Sequence, residues 1–187
     1  MNNEITIALI GFRGTGKTTI AALLGTALKR KVYSTDTLIE QKEKRTISSL
    51  VQNNGWKYFR DVESKILREV CSENGIIVDC GGGIVLRKTN RELLKRNSLV
   101  VLLEANVETI ETRIASDKNR IRLTKKQTLL DEIKSQLLKR KQYYDELADV
   151  RFDTTQCSAT IILQGIRSYL LQKIPRSVRN VQLTKKC

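Results

Sequence analysis

The sequence predicts an α/β fold in which helices flank a central five-stranded parallel sheet. The first observation is that strand-like apolar runs recur along the chain, at residues 5–10, 31–35, 75–80, 98–104 and 149–154. The second is that helical apolar spacing occupies the segments around them, at residues 17–29, 35–51, 57–73, 87–96, 106–117, 127–147 and 157–172. This alternation is typical of parallel sheets, whose ligands bind beyond the carboxyl ends of the strands. Residues that follow strands are therefore the first candidates for a functional site.

Length and composition favour one well-buried domain, predicted at residues 1–172 of the 187. No apolar run approaches the roughly 20 residues that span a bilayer, and residues 1–11 lack a basic leader. We therefore expect a core strand rather than a signal peptide there, no membrane partner and a cytoplasmic location. The four cysteines form no C-x-x-C pair and histidine is absent. This argues against zinc and requires any general base to be a carboxylate, lysine, tyrosine or water.

The net charge of +14 raises the question of nucleic-acid binding. Five of the positive charges lie in a predicted basic C-terminal tail, residues 173–187, which contains no acid. An enzyme that handles ATP and an anionic substrate also needs several arginines, and no nucleic-acid-binding signature accompanies the charge. We therefore do not expect nucleic acid as a partner, and we expect a monomer.

The first predicted strand leads into a glycine-rich loop that predicts nucleotide binding. Residues 11–18, GFRGTGKT, fit G-x-x-x-x-G-K-[ST], and a helical pattern follows. Such a loop wraps its backbone N–H groups around a phosphate at a helix N-terminus. Lys17 can reach the β- and γ-phosphates, and the Thr18 hydroxyl can ligate Mg²⁺ directly. The sequence thus predicts a P-loop three-layer sandwich with these ATP-binding residues: Gly14, Thr15, Gly16, Lys17, Thr18 and Thr19.

Acidic side chains and glycines follow the second and third predicted strands. STDTLIE contains Asp36 and Glu40, either of which could instead complement a helix dipole. CGGGI contains Gly81, Gly82 and Gly83. Two glycines would suffice for a flexible turn, so the third suggests that something approaches the backbone closely, and a substrate is the obvious candidate.

Arginines mark the remaining segments. Arg60 and Glu63 in FRDVE lie three residues apart, so they form either a surface pair or a site in which Glu63 orients Arg60. Arg140 lies in the run KRKQ, which would usually be a solvated face, and Tyr144 follows four residues later. The stretch SDKNRIRLTKKQ, rich in arginine and lysine, follows the fourth strand and its helix.

Taken in order, these motifs resemble those of shikimate kinases, within the nucleoside-monophosphate-kinase-like P-loop group. The family pattern is a phosphate loop, D-x-D followed by I-E, F-R-x-x-E, G-G-G, an arginine in a mobile lid, and an arginine four residues before a tyrosine. Here these read GFRGTGKTT, STDTLIE, FRDVE, CGGGI, KNRIRL and RKQYYDELAD. The resemblance implies transfer of the γ-phosphate of ATP, with Mg²⁺, to the 3-hydroxyl of shikimate in chorismate biosynthesis. It also implies a substrate-binding helical segment near residues 35–62 and a mobile lid near 115–128.

The resemblance implies a role for each matching residue. Arginine binds the substrate carboxylate bidentately, and an aspartate can accept hydrogen bonds from ring hydroxyls. Asp36 would hold the attacking hydroxyl and take its proton, while Lys17, Mg²⁺ and lid Arg120 would stabilise the transferring phosphoryl group. Arg113 would lie on the adenine side, unless it is an ordinary exposed helix arginine. The predicted substrate-binding residues are Asp36, Arg60, Gly81, Gly82, Gly83 and Arg140.

Two departures from the family pattern leave assignments open. Ser34 stands where the family has the first aspartate of D-x-D, so Asp79 at the end of the third strand could supply the missing carboxylate. Both residues are candidates to bind the waters around Mg²⁺. The lid reads Arg120-Ile121 where the family has Arg-Pro, and Arg122 offers a second lid arginine.

Two other functions remain to be distinguished. A related small-molecule kinase, such as a gluconate kinase, would share the loop and the sheet but should lack the paired carboxylate-binding arginines. A nucleotide-regulated module that binds nucleic acid would show slow or absent turnover of small polyols and strongly salt-dependent binding to DNA or RNA.

Overall fold

The computed structural model describes residues 5–115 and 128–173. Its strands are β1 (Thr6–Ile10), β2 (Val32–Ser34), β3 (Ile77–Asp79), β4 (Ser98–Glu104) and β5 (Val150–Asp153). Its helices are α1 (Lys17–Leu28), α2 (Thr35–Glu43), α3 (Ile47–Val70), α4 (Lys88–Asn97), α5 (Val107–Ala115), α6 (Leu129–Leu147) and α7 (Ala159–Lys173), with a short 3-10 helix at Ile84–Leu86. The strands form one parallel sheet in the order β2-β3-β1-β4-β5. The predicted five-stranded parallel sheet is confirmed.

The alternation of side chains along the central strand β1 divides the interior into two layers. Ile7 and Leu9 pack with apolar residues of α1 and α7. Ala8 and Ile10 pack on the other face with apolar residues of α2, α3, α4 and α6. A strand that is buried on both faces needs apolar residues at every position, which explains the continuous run in the sequence. Helices cover both faces of the sheet, as the predicted three-layer sandwich requires.

The carboxyl ends of three strands meet at the centre of the sheet. Leu9 of β1 lies in register with Asp79 of β3, and Asp79 lies in register with Ser34 of β2. Strands β3 and β2 lie on one side of β1, and strands β4 and β5 lie on the other. In open parallel sheets, ligands bind beyond the carboxyl ends of the strands, at the point where the strand order changes direction.

The helix predicted at residues 35–51 is wrong as a single element. Lys44, with φ of 53°, ends α2, and the Thr46 side chain caps α3 by accepting a hydrogen bond from the Ser49 N–H. The predicted interruption at residues 52–56 is instead a kink inside α3 at Gly55, with φ of 79° and ψ of 167°. Only glycine adopts these angles readily. The kink redirects the second half of α3, which carries Arg60.

Two expectations from composition can be compared with the structure. Across residues 5–115 and 128–173, none of the helices combines the length and apolar character that a membrane span requires. Cys71, Cys80 and Cys157 are free thiols. Burial raises the pKa of the Cys71 thiol to about 11 and also raises the pKa of Cys80, so neither is an activated nucleophile.

Candidate active site

The phosphate loop runs from the end of β1 to the start of α1. Gly16 precedes α1 with φ of 82°, and no side chain caps this helix end. The N–H groups of the first turn are therefore directed toward the loop, where they can bind an anion. The Lys17 side chain is buried, and its Nζ donates a 2.9 Å hydrogen bond to the Phe12 carbonyl. Burial lowers the pKa of Lys17, while the nearby Asp79 and Asp36 oppose that shift.

One hydrogen bond joins the phosphate loop to the end of β3. The Thr18 hydroxyl donates to Asp79 Oδ2 over 2.7 Å. Ser34 is engaged differently, because its hydroxyl accepts a 3.3 Å hydrogen bond from the Thr37 N–H as the N-cap of α2. Ser34 and Asp79 are the two residues predicted to bind the waters around Mg²⁺. Asp79 contacts Thr18, the predicted direct ligand of the ion, whereas Ser34 caps α2, and both residues line one cleft.

Two clefts open beside this loop and meet each other. The nucleotide-side cleft is lined by the phosphate loop, Ser34, Asp79 and Arg113. The second cleft is lined by Arg60, Arg140, the three glycines and aromatic residues of α3. Three residues line both clefts: Arg13, Asp36 and Gly82. A group bound in one cleft could therefore react with a group bound in the other.

Asp36 lies at this junction, in the first turn of α2. Burial raises the pKa of its carboxyl above the ordinary value of 3.8, although Lys17 and Arg60 lower it. A carboxylate with a raised pKa accepts protons more readily. The sequence also allowed Asp36 or Glu40 to be an ordinary acid that complements the helix dipole. That description fits Glu40 better than Asp36, because Glu40 is exposed and accepts a hydrogen bond from the Ile47 N–H.

The three glycines make room for two functional side chains. A Cβ atom on Gly81 would collide with Asp36 Oδ1, and one on Gly83 would collide with the Arg60 guanidinium. Gly82 contributes its carbonyl, which accepts hydrogen bonds from Arg140 Nη1 at 2.8 Å and from the Tyr144 hydroxyl at 3.1 Å. The close approach inferred from the third glycine is thus made by protein side chains.

Arg60 is held by the buried Glu63 and by aromatic rings. Arg60 Nη1 donates to Glu63 Oε1 over 2.6 Å, and Glu63 is 1% exposed. The Arg60 guanidinium carbon lies 4.8 Å from the Phe59 ring centroid and 5.4 Å from that of Trp56. Burial raises the pKa of Glu63, although Arg60 opposes the shift. This burial excludes the alternative of a surface ion pair.

Arg140 is also buried, which excludes a solvated face for this residue. It is 5% exposed, and besides Gly82 it donates from Nη2 to Gln136 Oε1 over 3.2 Å. Its guanidinium carbon lies 5.3 Å from the Phe12 ring centroid. Arg140 Nε is buried and has no hydrogen-bond acceptor within the part of the chain that the structure describes. The side chain is therefore fixed in the second cleft with an unused donor.

Arg113 joins the phosphate loop to the end of β5. Its Nη1 donates to the Gly14 carbonyl at 3.1 Å and to Thr154 Oγ1 at 2.9 Å, and its Nη2 donates to the Thr154 carbonyl at 2.8 Å. Arg113 is exposed, as the alternative of an ordinary helix arginine expects, but it also makes these three contacts with Gly14 and Thr154. Arg120 and Arg122, and most of the predicted lid, lie outside the described residues.

The sequence did not predict that Arg13 lines both clefts, or that it pairs with Glu132. Arg13 occupies an unconstrained position of the loop motif, so the motif gives no signal for it. For Glu132 a signal exists, because four polar residues recur at helical spacing along α6, and each of them bonds to a residue that lines a cleft: Glu132, Gln136, Arg140 and Tyr144. Trp56 and Phe59 could have been suspected as well, since they flank Arg60 on a helix.

Comparisons with known proteins identify relatives of this chain. A family model described as Shikimate kinase matches residues 13–173. A shikimate kinase of Dehalococcoides mccartyi is 37% identical over 170 residues, which cover 91% of this chain and 96% of that protein. The structure of a shikimate kinase from Acinetobacter baumannii in complex with shikimate has a TM-score of 0.86 at 32% identity, over 92% of this chain and 96% of that one.

A second solved structure supports the same relationship. The shikimate kinase of Aquifex aeolicus has a TM-score of 0.76 at 27% identity, over 90% of this chain and 96% of that chain. The similarity extends over nearly the full length of these relatives. The chain belongs to the shikimate kinase family, a family of ATP-dependent P-loop kinases.

Proposed function

We propose that this chain transfers the γ-phosphate of ATP to the 3-hydroxyl of shikimate, giving shikimate 3-phosphate and ADP. The observation that carries the proposal is the meeting of two clefts at Asp36. The phosphate loop lines one cleft, and Arg60 and Arg140 line the other. The reacting oxygen of an acceptor in the second cleft can thus face the terminal phosphate in the first.

The second cleft suits a small ring that carries a carboxylate and hydroxyl groups. Arg60 and Arg140 offer two guanidinium groups for the carboxylate. Arg140 Nε is an unused buried donor, and Glu63 Oε2 is a buried acceptor without a partner among the described residues. Buried polar atoms of this kind normally have partners, and a polar ligand would provide them. Phe59 and Trp56 supply apolar surface for the ring.

In the proposed reaction, the substrate hydroxyl oxygen attacks the γ-phosphorus, and the bond from that phosphorus to the β–γ bridging oxygen breaks. The bridging oxygen leaves with the electron pair as part of ADP. Asp36 takes the hydroxyl proton, which its raised pKa favours. Lys17 places a positive charge beside the β- and γ-phosphates, and we assign a similar role to Arg120. Arg113 would hold the nucleotide on its adenine side.

We propose Thr18 as the direct protein ligand of Mg²⁺ and Asp79 as the carboxylate that binds its waters. Both present hard oxygen atoms, which suit this ion. The described residues contain no cluster of three or more His, Cys, Asp or Glu that could hold a metal alone. Few protein ligands are needed, since Mg²⁺ in kinases is held largely by substrate phosphates and water. Bound Mg²⁺ would neutralise charge on the phosphates.

Release of ADP from MgATP tests the proposed function. We expect release with shikimate to exceed release with gluconate or with no acceptor by at least about a hundredfold, because the ring of shikimate holds its carboxylate and its 3-hydroxyl at a fixed separation, whereas gluconate is a flexible open chain. Asp36→Asn, which keeps the shape of the side chain, serves as the low-activity control. Equal release with gluconate would favour the gluconate kinase alternative. Absent turnover, together with salt-dependent binding to DNA or RNA, would favour the nucleic-acid alternative.

The organisation of the protein completes the proposal. We propose one kinase domain over residues 1–172, with a substrate-binding segment near 35–62, a lid near 115–128 and a basic tail at 173–187. We further propose that it acts as a monomer in the cytoplasm on ATP and shikimate, without nucleic acid. Sedimentation of the full chain with and without RNA would test the monomer and the absence of this partner.

A further inference from the structure

Arg13 occupies the point where the two clefts meet. Of the three residues that line both clefts, Arg13 is the cation, Asp36 the anion and Gly82 neutral. Among the described residues, the other cations line one cleft each: Lys17 and Arg113 the nucleotide side, Arg60 and Arg140 the acceptor side. A phosphoryl group that moves between the clefts therefore passes the Arg13 side chain.

Glu132 fixes the position of the Arg13 guanidinium. Arg13 Nη2 lies 2.5 Å from Glu132 Oε1, and the Glu132 side chain is 1% exposed while that of Arg13 is 29% exposed. A buried carboxylate without a positive partner is costly, so the pair holds firmly. A cation that is fixed before the reaction stabilises developing charge without reorganising, which makes it more effective than a mobile one.

The same helix links Arg13 to the acceptor cleft. Glu132 and Arg140 lie two turns apart on α6, and Gln136 between them accepts a hydrogen bond from Arg140. Arg140 in turn donates to Gly82, whose position lies against the backbone of Arg13. Helix α6 therefore places one arginine in the acceptor cleft and fixes another at the junction.

We propose that Arg13 is a catalytic residue that binds the γ-phosphoryl group, both in bound ATP and during transfer, and that Glu132 is its positioning residue. This inference rests on the proposed function for the identity of the acceptor. The Arg13 guanidinium donates hydrogen bonds to the equatorial oxygens of the transferring group, over which negative charge is spread. Its role is separate from that of Lys17, which reaches the phosphates from within the loop.

The test compares the wild-type protein with an Arg13→Met/Glu132→Gln double variant, which removes the Arg13 cation together with the buried Glu132 charge that faces it. We expect kcat with shikimate to fall about a hundredfold, as for loss of one preorganised donor. We also expect the preference for the imido-bridged, non-hydrolysable ATP analogue over ADP to fall about tenfold, because ADP lacks the γ-phosphate. Arg13→Lys keeps the positive charge, so it should retain part of the kcat and part of the preference for the ATP analogue. Glu132→Gln alone should lower kcat less than the double variant does.

One control variant and two further outcomes decide the proposal. Arg96→Met, at an exposed position on α4, should change neither quantity. If the double variant prefers the ATP analogue over ADP as strongly as the wild-type protein does, the proposal is overturned. This holds even if the KM for shikimate rises, because a shift of Arg140 alone would explain that rise. If the wild-type protein releases no ADP with shikimate, the proposed function fails. The nucleotide preference then still decides the role of Arg13, because that measurement needs no acceptor.

Discussion

Thr18 Oγ1 donates a 2.7 Å hydrogen bond to Asp79 Oδ2, which joins the first turn of α1 to the last residue of β3. The register of the sheet makes this contact available, because β3 lies directly beside β1 and Asp79 aligns with Leu9. Ser34 aligns with Asp79 from the other side, but its hydroxyl caps α2. Asp79 is therefore the carboxylate nearest the predicted metal ligand in this part of the site.

Replacing Asp79 should affect the metal requirement of the reaction. We expect Asp79→Asn to raise the Mg²⁺ concentration needed for half-maximal activity, since the amide carries no negative charge for the waters around the ion. Ser34→Asp should partly rescue this variant by restoring a carboxylate on the neighbouring strand. A Mg²⁺ titration of activity at fixed ATP measures both effects. An unchanged Mg²⁺ requirement in Asp79→Asn would assign those waters to Ser34 or Asp36.

Loss of either cleft arginine should weaken acceptor binding and leave the nucleotide site intact. We expect Arg140→Ala and Arg60→Ala each to raise the KM for shikimate or abolish turnover, with a cost on the order of 2–5 kcal/mol for a desolvated charge pair. The dissociation constant of ADP should change little, since neither residue lines the nucleotide cleft. A wild-type KM in both variants would contradict the substrate assignment.

The Arg60 variant needs its own control, because Glu63 would remain buried without its partner. Removing one member of a buried ion pair costs about 3–5 kcal/mol of stability. We therefore expect Arg60→Met/Glu63→Gln to be more stable to urea than Arg60→Ala while still binding shikimate poorly. Recovered binding in the double variant would indicate that the single variant failed through misfolding.

The sheet and the phosphate loop could be predicted from the sequence because their signals are local. An apolar run, a glycine motif and a helical pattern lie within residues 5–29, and the motif constrains the chemistry by itself. The break between α2 and α3 was missed although a signal existed: Thr46 precedes an apolar pattern and caps it. The helical spacing simply continued across the break.

The parts of the site that escaped prediction depend on tertiary contacts. The Arg13–Glu132 pair joins residues 119 positions apart, and neither segment alone indicates the other. Similarly, three glycines predict a close approach but do not identify the approaching group, which folding alone decides. Burial of Glu63 and Arg140 was likewise invisible in runs of charged residues. Because charged side chains are rarely buried, the run KRKQ alone would indicate a solvated face for Arg140, and only the resemblance to shikimate kinases assigned it to the substrate site.

The raised pKa of Asp36 predicts the acid limb of the pH profile. Asp36 must be ionised to accept the proton, and burial raises its pKa above the ordinary 3.8. As pH falls, kcat/KM should therefore decline at a higher pH than an unperturbed carboxylate would give. Asp36→Asn should lower kcat by roughly 10²–10⁴-fold. The residual activity of this variant should not show the decline at low pH that we assign to Asp36. A profile that is identical in the two proteins, after scaling, would assign the limb to another group.

The same shift has a consequence for stability. A carboxyl whose pKa is raised in the folded state contributes stability at low pH that is lost as pH rises through that folded value. At neutral pH the ionised Asp36 therefore disfavours the folded state, and Asp36→Asn should be at least as stable as the wild-type protein. Urea unfolding at pH 7 and at pH 4 measures this, and the gain of the variant should shrink at the lower pH.

Gly83→Ala should report on the space that Arg60 needs. Gly83 has φ of −102°, which any residue can adopt, so the substitution adds a methyl group without backbone strain. That methyl group would overlap the Arg60 guanidinium. We expect a loss of about 1–3 kcal/mol in the free energy of unfolding from overpacking, and a rise of about tenfold in the KM for shikimate as the guanidinium shifts.

In an Arg60→Met background the same substitution should cost less than about 0.5 kcal/mol, because a flexible thioether can move aside. Equal costs in the two backgrounds, measured by urea unfolding, would show that Gly83 is required for a reason other than the Arg60 side chain.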